Sequence, residues 1–270
     1  MASVGGLSCS FNATVYEDTL EEVPALVDWA AENLDRVHAM VFITYRAAAL
    51  KEFDYFAGGE KIDASRLVYS STEQRRTDIS SREVVDTIRR KLPDFAPCAY
   101  LNGTEKPDSL KWLLALRVGQ RGKIHGYFGP RTLELIQTGY HLATGRYLGY
   151  TPPGMLAAGR AALVSSLWDP GARGAVRSYV KTIAAQPLAL LRPLHVQSIM
   201  VIQPIDVLAS GRQNMCDGCP DMTVHDGELV WSCRLEEPKC FGQFLTTAPK
   251  GGKTAPGPCP STRASRAHDA

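Results

Sequence analysis

The chain has 270 residues, 44% of them hydrophobic and 21% charged, with a formal net charge of +2. These proportions are those of an ordinary globular protein with room for one large domain or two small ones, and the near-neutral balance gives no general attraction to nucleic acid or to an anionic membrane surface. No stretch approaches about 18 uninterrupted apolar residues, which excludes a spanning helix, and Met1-Ala-Ser-Val-Gly-Gly lacks the charged and apolar regions of a secretory signal.

Residues 7–16 alternate and are rich in strand formers, which predicts a strand. Capping-box spacing then occurs twice, at Asp18/Glu21 and at Thr19/Glu22. Only one frame can hold, and Pro24 favours a slightly later start. Leu20, Val23, Val27, Ala30 and Leu34 recur at helical spacing, predicting a helix to about Leu34. Val37 to Tyr45 is an almost continuous apolar run, the pattern of a strand buried on both faces. Strand, helix and buried strand in close succession make a βαβ unit with parallel pairing. A parallel pair does not stand with both faces uncovered, so residues 1–45 read as the end of a sheet whose earlier strands are absent.

Residues 46–79 are polar and read as irregular, with a turn at Gly58-Gly59. Ser80 with Glu83 fits a capping box for a helix to Leu92, which Pro93 stops. Pro107 and Pro130 fit the first turns of two further helices, about 107–117 and 130–143. Residues 155–168 and 171–192 are expected to be helical, broken at Asp169-Pro170-Gly171 and at Gln186-Pro187. Leu194 to Ile205 reads as a strand. From about Thr247 the chain is rich in Pro, Gly and Lys and is expected to be disordered. There is no internal repeat.

Cysteine placement carries the most chemical information. In a reducing compartment clustered thiols are more often ligands than disulfides, and the expected location is the cytoplasm. Cys216 and Cys219 form a C-x2-C turn, which converges its two thiols. After Cys219 the chain alternates through Asp226-Gly227 to Cys233. Asp-Gly is the preferred two-residue type I′ hairpin turn. With the turn there, His225 faces Glu228, Val224 faces Leu229, Met222 faces Trp231, and Pro220 faces Cys233. Cys233 is thereby delivered beside Cys219. Three soft thiolates favour zinc or an iron–sulfur cluster over magnesium or calcium. The fourth ligand is open among Cys240, Cys98 and His225, with His225 disfavoured because the register leaves it beside the turn.

Three segments carry a resemblance: the strand-helix-strand of about residues 7–45; Phe95-Ala-Pro-Cys-Ala-Tyr-Leu-Asn-Gly-Thr-Glu-Lys-Pro-Asp108; and Gln213-Asn-Met-Cys-Asp-Gly-Cys-Pro-Asp-Met-Thr223 with Trp231-Ser-Cys-Arg-Leu-Glu-Glu237. Together they resemble the C-terminal portion of uncharacterised radical SAM proteins. The resemblance implies an α/β fold: the last strands and helices of a partial (β/α)6 barrel, followed by a mainly helical extension with a cysteine-bearing hairpin. Residues 1–50 would be the barrel end, 51–246 the extension and 247–270 a disordered tail. Members of this family cleave S-adenosylmethionine with a [4Fe–4S] cluster held by C-x3-C-x2-C. This sequence contains no such motif, so S-adenosylmethionine would bind only with the missing half, possibly a separately encoded N-terminal chain. Cys216, Cys219 and Cys233, with Cys98 or Cys240, would hold an auxiliary [4Fe–4S] cluster, zinc being the alternative. Strand C-terminal ends face the active site in α/β barrels, which makes Asn12, Thr14, Thr44 and Arg46 the candidates for facing cofactor or an unidentified small-molecule substrate.

Glu105, Lys106 and Asp108 after Asn102-Gly103 read as a solvated helix entrance or a polar substrate loop. His125, His141 and His195 have no partner at ligand spacing and read as structural. Arg160, Arg173, Arg177, Lys181 and Arg192 form a basic stretch whose simplest reading is a solvated helix face, with lipid or an anionic substrate as the other. No phosphate loop, catalytic triad or nucleic-acid motif occurs. The leading functional expectation is part of a radical SAM oxidoreductase; the competing one is a non-enzymatic zinc-binding interaction protein.

Overall fold

In the computed structural model, which describes residues 9–46, 50–67, 76–146 and 159–251, strand β1 (Cys9–Val15) runs parallel to β2 (Val37–Thr44), and helix α1 (Val23–Glu32) joins them. The expected βαβ unit is therefore present. Neither of the two capping frames forms a side-chain cap: a 3-10 turn, Leu20–Glu22, leads into α1, Thr19 Oγ1 accepts from Tyr16 N at 3.0 Å instead, and Pro24 lies in the first turn of α1. Proline suits that position because its missing N–H would have no intrahelical partner there.

The chain continues through β3 (Phe53–Ala57), β4 (Glu60–Ile62), α2 (Ser81–Lys91), β5 (Ala99–Asn102), β6 (Leu110–Gln120) and β7 (Lys123–Tyr127). Then come α3 (Pro130–Thr144), α4 (Gly159–Ala162), α5 (Pro170–Ala185) and β8 (His195–Ile202). The last elements are β9 (Asp206–Val207), β10 (Gln213–Asn214), β11 (Met222–His225), β12 (Glu228–Trp231), α6 (Glu236–Phe241) and β13 (Thr246–Pro249). The result is a mixed α/β fold. No helix among the described residues is long and apolar enough to cross a membrane.

Contacts divide the chain into two units. One comprises the residues up to Tyr45, with Asp78–Leu101 and Leu110–Gln203. The other comprises Arg46–Thr77, Asn102–Ser109 and the residues from Pro204 onward.

The first unit is built on a six-stranded mixed sheet of order β1-β2-β8-β6-β5, with β7 paired to β6. β1, β2 and β8 are parallel, while β6 is antiparallel to both β8 and β7. Helices α1 and α2 cover one face. Their Val23, Val27, Ala30, Val84, Val85 and Ile88 pack on Val15, Met40, Phe42, Leu113, Ile199 and Val201 of the strands. The other face meets α5 through Leu116, Val118, Val196, Ala172, Ala175 and Tyr179. The Ser80 side chain accepts from Glu83 N at 3.1 Å, so the expected cap of α2 forms.

A buried polar clasp ties α1 to the sheet. Arg117 donates from Nε to Gln197 Oε1 at 2.8 Å and from Nη2 to the Val27 carbonyl at 2.8 Å. Gln197 Nε2 in turn donates to the carbonyls of Ala30 at 3.0 Å and Val37 at 2.6 Å. Burial lowers the pKa of the Arg117 guanidinium, while hydrogen bonding to Tyr127 and the charges of Tyr127 and Asp28 act the other way.

Four expectations are corrected. The helix placed at about 107–117 is strand β6, because Leu110, Trp112, Leu114, Leu116 and Val118 alternate. It lies in the sheet interior, so both faces are apolar, and Pro107 marks the preceding loop rather than a helix start. The irregular 46–79 region contains the β3–β4 hairpin, with Gly58 and Gly59 at φ 59° and 89° forming its turn. Thr246–Pro249 is a strand paired with β3, so an ordered segment extends past Thr247; the rest of the expected tail, 252–270, lies outside the described residues. The region after residue 50 also contributes strands β3 to β13 and is not mainly helical. Of the helix expected at 155–168, residues 155–158 lie outside the described residues; α4 and a 3-10 turn, Leu163–Leu167, follow. The break expected at Gln186-Pro187 separates α5 from a second 3-10 turn, Pro187–Leu191.

The second unit has a three-stranded antiparallel sheet, β13-β3-β4, and two small ladders, β9–β10 and β11–β12. Its apolar cluster is Tyr55, Ala64, Leu67 and Leu245, flanked by Phe53, Ile62, Cys240 and Phe241.

Candidate functional site

The hairpin register is the one that the sequence predicts. Met222 pairs with Trp231, Thr223 with Val230, Val224 with Leu229, and His225 with Glu228. Asp226 and Gly227 have φ of 50° and 80°, the two positive values that a type I′ turn requires. Beyond the ladder Ser232 N donates to the Asp221 carbonyl at 3.2 Å, which carries the pairing one step toward the cysteines. Cys233 itself sits in a 3-10 turn, Ser232–Arg234, not in a strand.

The C-x2-C turn brings its two thiols together. Cys216 hydrogen-bonds the Cys219 sulfur, and this contact is the first cause of a lowered Cys219 pKa; burial opposes it and a backbone contact at Asp221 assists it. The Cys219 sulfur lies 3.8 Å from the Asp221 carbonyl oxygen. Burial raises the Cys233 thiol pKa, and the neighbouring Cys219 charge adds to the rise. The Cys233 residue as a whole is exposed, so solvent moderates that burial. Among the described residues no group of three His, Cys, Asp or Glu side chains is gathered closely enough to hold a metal ion. The corner is thus a thiol pair with a third thiol close enough to feel its charge.

The turn that carries Cys233 is braced from behind. Arg234 is buried and clamps Glu237 with two parallel bonds, Nε to Oε1 at 2.9 Å and Nη2 to Oε2 at 2.5 Å. Nη2 also donates to the Leu245 carbonyl at 2.8 Å, and Glu237 Oε2 accepts from Leu245 N at 2.8 Å. The guanidinium stacks 4.7 Å from the Phe244 ring, whose edge meets Trp231 with centroids 5.2 Å apart.

A second segment is locked to the C-x2-C turn. Asn214 Oδ1 accepts from Glu105 N at 3.0 Å and Lys106 N at 3.1 Å. Thr104 N donates to the Met215 carbonyl at 3.0 Å, Met215 N donates to Thr104 Oγ1 at 3.0 Å, and Asp217 N donates to the Asn102 carbonyl at 2.9 Å. Gly103 and Cys216 form an isolated antiparallel bridge. Glu105 pairs with Arg212. The polar loop that reads from sequence as a solvated helix entrance or a substrate loop is therefore a clasp on the cysteine segment. Gly103 is needed there: a Cβ would stand 2.6 Å from Asn214 Nδ2 and nearer still to Oδ1.

The other candidate residues are distributed as follows. Cys240 contacts the Arg66 carbonyl at 3.9 Å and flanks the small apolar cluster. Cys98 belongs to the core of the first unit, and burial pushes its thiol up to about 11. His225 stands 3.6 Å from Asp226 at the hairpin turn, as its register position requires. Asn12 and Thr14 are exposed on one face of β1. Thr44 is buried on the opposite face, since it pairs with Val15, and strand side chains alternate. Arg46 donates to Asp206 at 2.6 Å in the second unit. The residues that sequence reasoning missed are Asn214, Thr104, Arg234 and Glu237. Arg234 and Glu237 are separated by three, a pairing distance on a helix, and this was the only local signal. No protein-family model matches the chain, and no curated protein matches it either.

Proposed function

We propose that this chain is the C-terminal part of a radical SAM oxidoreductase acting on a small molecule, and that Cys216, Cys219 and Cys233 ligate an auxiliary iron–sulfur cluster. One observation carries the reading: a C-x2-C thiol pair in mutual contact, with a third cysteine supplied by the turn that continues a hairpin of defined register. Three soft sulfur donors on irregular backbone fit a thiophilic centre and do not fit a hard cation. Cys240, in the same unit as these three, is the candidate for the fourth position. The chemistry supplied by an auxiliary cluster is electron relay or substrate binding, tuned by burial and by hydrogen bonds to sulfur.

The barrel part of the reading is supported by the three parallel strands β1, β2 and β8. β1 is the edge strand, and its Ser10, Asn12 and Thr14 are exposed. Parallel ladders are normally covered on both faces, and an edge strand offers unpaired backbone groups to a further strand. In this reading further parallel strands, carrying C-x3-C-x2-C and the S-adenosylmethionine site, are supplied outside this sequence. Asn12 and Thr14 then face that completed interior.

The test is anaerobic reconstitution with iron and sulfide, with a parallel zinc titration. The expected result is broad absorbance near 400 nm with stoichiometric iron and sulfide, lost in Cys216→Ser, Cys219→Ser and Cys233→Ser. Loss in Cys240→Ser identifies the fourth ligand, and Cys98→Ser, in the core of the first unit, serves as the comparison. Tight colourless zinc with no uptake of iron would refute the cluster and leave a zinc-braced interaction module.

A further inference from the structure

A cavity of about 410 Å3 opens in the first unit between α5 and the start of β7, well away in sequence from every cysteine discussed above. Its lining includes Lys123 of β7 and Arg177, Ser178, Lys181 and Thr182 of α5. Three of these side chains are cationic and none is acidic. The adjacent sequence supplies no acid either. Between Arg121 and Leu133, and again between Pro170 and His195, the sequence contains no Asp or Glu. Lys123, Arg177 and Lys181 have no ion-pair partner among the described residues.

An anion would relieve this local excess of positive charge. Arg177 and Lys181 are four apart on one helix, where like charges repel. Lys123 adds a third positive charge from the facing strand. Its field also reaches the strand's interior face: His125, buried two residues on, has its pKa lowered first by burial and then by the Lys123 charge. The same junction holds unused hydrogen-bonding capacity. The ring nitrogens of His125 and the Tyr179 hydroxyl are buried without a partner among the described residues, and the two rings lie 5.1 Å apart. The Ser178 hydroxyl on the lining adds a neutral donor to the cationic ones, whereas the Thr182 hydroxyl donates to the Ser178 carbonyl at 2.9 Å. Such a set, a guanidinium, two ammoniums and a hydroxyl, suits the charge and the acceptor oxygens of a phosphate.

We infer that the cavity between α5 and β7 binds a phosphate-bearing anion through Lys123, Arg177 and Lys181. Two sources share this chemistry. One is a soluble phosphate ester. The other is a lipid headgroup, because the 3-10 turn that follows α5 presents Leu188, Leu190 and Leu191 at 70%, 52% and 76% exposure. Arg160 anchors that turn by donating to the carbonyls of Leu190 and Arg192.

The experiment uses the full chain. Inorganic pyrophosphate is titrated by calorimetry at constant ionic strength, and co-sedimentation is measured with phosphatidylcholine vesicles containing phosphatidic acid. Arg177→Gln and Lys181→Gln are compared with Arg173→Gln, an exposed cation of the same helix outside the lining. Each lining variant is expected to weaken binding about tenfold, the ordinary worth of one charge-assisted bond, while Arg173→Gln has no effect. Saturable pyrophosphate binding with this pattern supports the site and a soluble ligand. Vesicle binding with this pattern, without pyrophosphate binding, supports the site and assigns the phosphate to lipid. Absence of saturable binding to both probes, or an equal loss in Arg173→Gln, overturns the inference, the latter because it means diffuse charge. All three changes are on the exposed side of α5, and superimposed thermal melts confirm that folding is intact.

Discussion

Gly103→Ala is expected to unlock the cysteine segment although it adds one methyl group. At an unhindered position the change would be stabilising by about 0.4–1 kcal/mol, since alanine restricts the unfolded chain. Gly103 has no positive φ to forbid a side chain. The obstacle is Asn214, whose amide supplies all three of the nearest atoms to a Cβ at this position, with Cγ at 2.8 Å. The amide must swing away, and its Oδ1 then loses the bonds from Glu105 N and Lys106 N. Each such bond is worth about 1 kcal/mol net, and more when the buried donor is left without a partner. Set against the backbone gain, the expected cost is about 2 kcal/mol, or some thirtyfold in the local opening equilibrium.

Amide hydrogen exchange reads this directly, as faster exchange at Glu105, Lys106 and Met215 than in the unaltered chain. The cause is isolated by a double-mutant cycle. Asn214→Ala alone should cost about the same two bonds, at roughly 2 kcal/mol. Once that amide is gone, adding Gly103→Ala should cost nothing further, because the obstructing atoms are absent. Additive costs in the cycle, or a neutral Gly103→Ala, would show that the clasp does not depend on this close approach.

Two further outcomes follow from buried charges. Glu237→Ala should cost about 3–5 kcal/mol in a urea titration, because Arg234 would remain buried without its partner; a loss below about 1 kcal/mol would mean that water reaches the guanidinium and the pair is a surface one. Asp169, buried between two helices, caps α5 through Gly171 N at 2.8 Å and Ala172 N at 3.3 Å, and α3 through Thr132 N at 3.1 Å. Burial alone would raise its pKa, but these bonds and the Thr132 hydroxyl outweigh it and hold the carboxyl below its usual value. A depressed carboxylate contributes stability that is fully present above the unfolded pKa, about 3.9, and is lost as pH falls through the folded one. The stability difference between the unaltered chain and Asp169→Ala should therefore be constant near neutral pH and shrink below about pH 4; a difference that grows on acidification would contradict the capping role.

How much of the fold is legible in the sequence depends on whether the signal is local. The βαβ start is legible because α1 repeats at helical spacing and β2 is an unbroken apolar run. β6 is misread for the same kind of reason. An eleven-residue segment with leucines at positions 110, 113, 114 and 116 fits a helical face as well as a strand, and only its place in the sheet interior, between β8 and β5, decides. β13 is obscured by its composition: Thr246–Pro249 has little apolar character, and its order comes from pairing with β3, about 190 residues earlier in the chain.

The candidate site divides along the same line. The hairpin register is legible because Asp226-Gly227 needs two positive φ values and strand side chains alternate with period two; together these leave one frame. Most of the bracing is not legible, because apart from the Arg234–Glu237 spacing its partners lie beyond any local pattern. Asn214 reaches back to 105 and 106, and Glu237 meets Leu245 across the end of α6. This division has a mechanical consequence. All three cysteines sit on irregular backbone, two in a turn held by the Asn214 clasp and one in a 3-10 turn held by the Arg234–Glu237 pair. Each thiol can therefore shift by small backbone changes without disrupting a sheet, while its anchor stays fixed. Weakening either anchor should loosen the spacing of the thiols before it unfolds the unit, so, if the corner holds the proposed cluster, in Gly103→Ala and Glu237→Ala the loss of metal affinity should exceed the loss of global stability. A cysteine corner that needed no such bracing would show the two losses in equal measure.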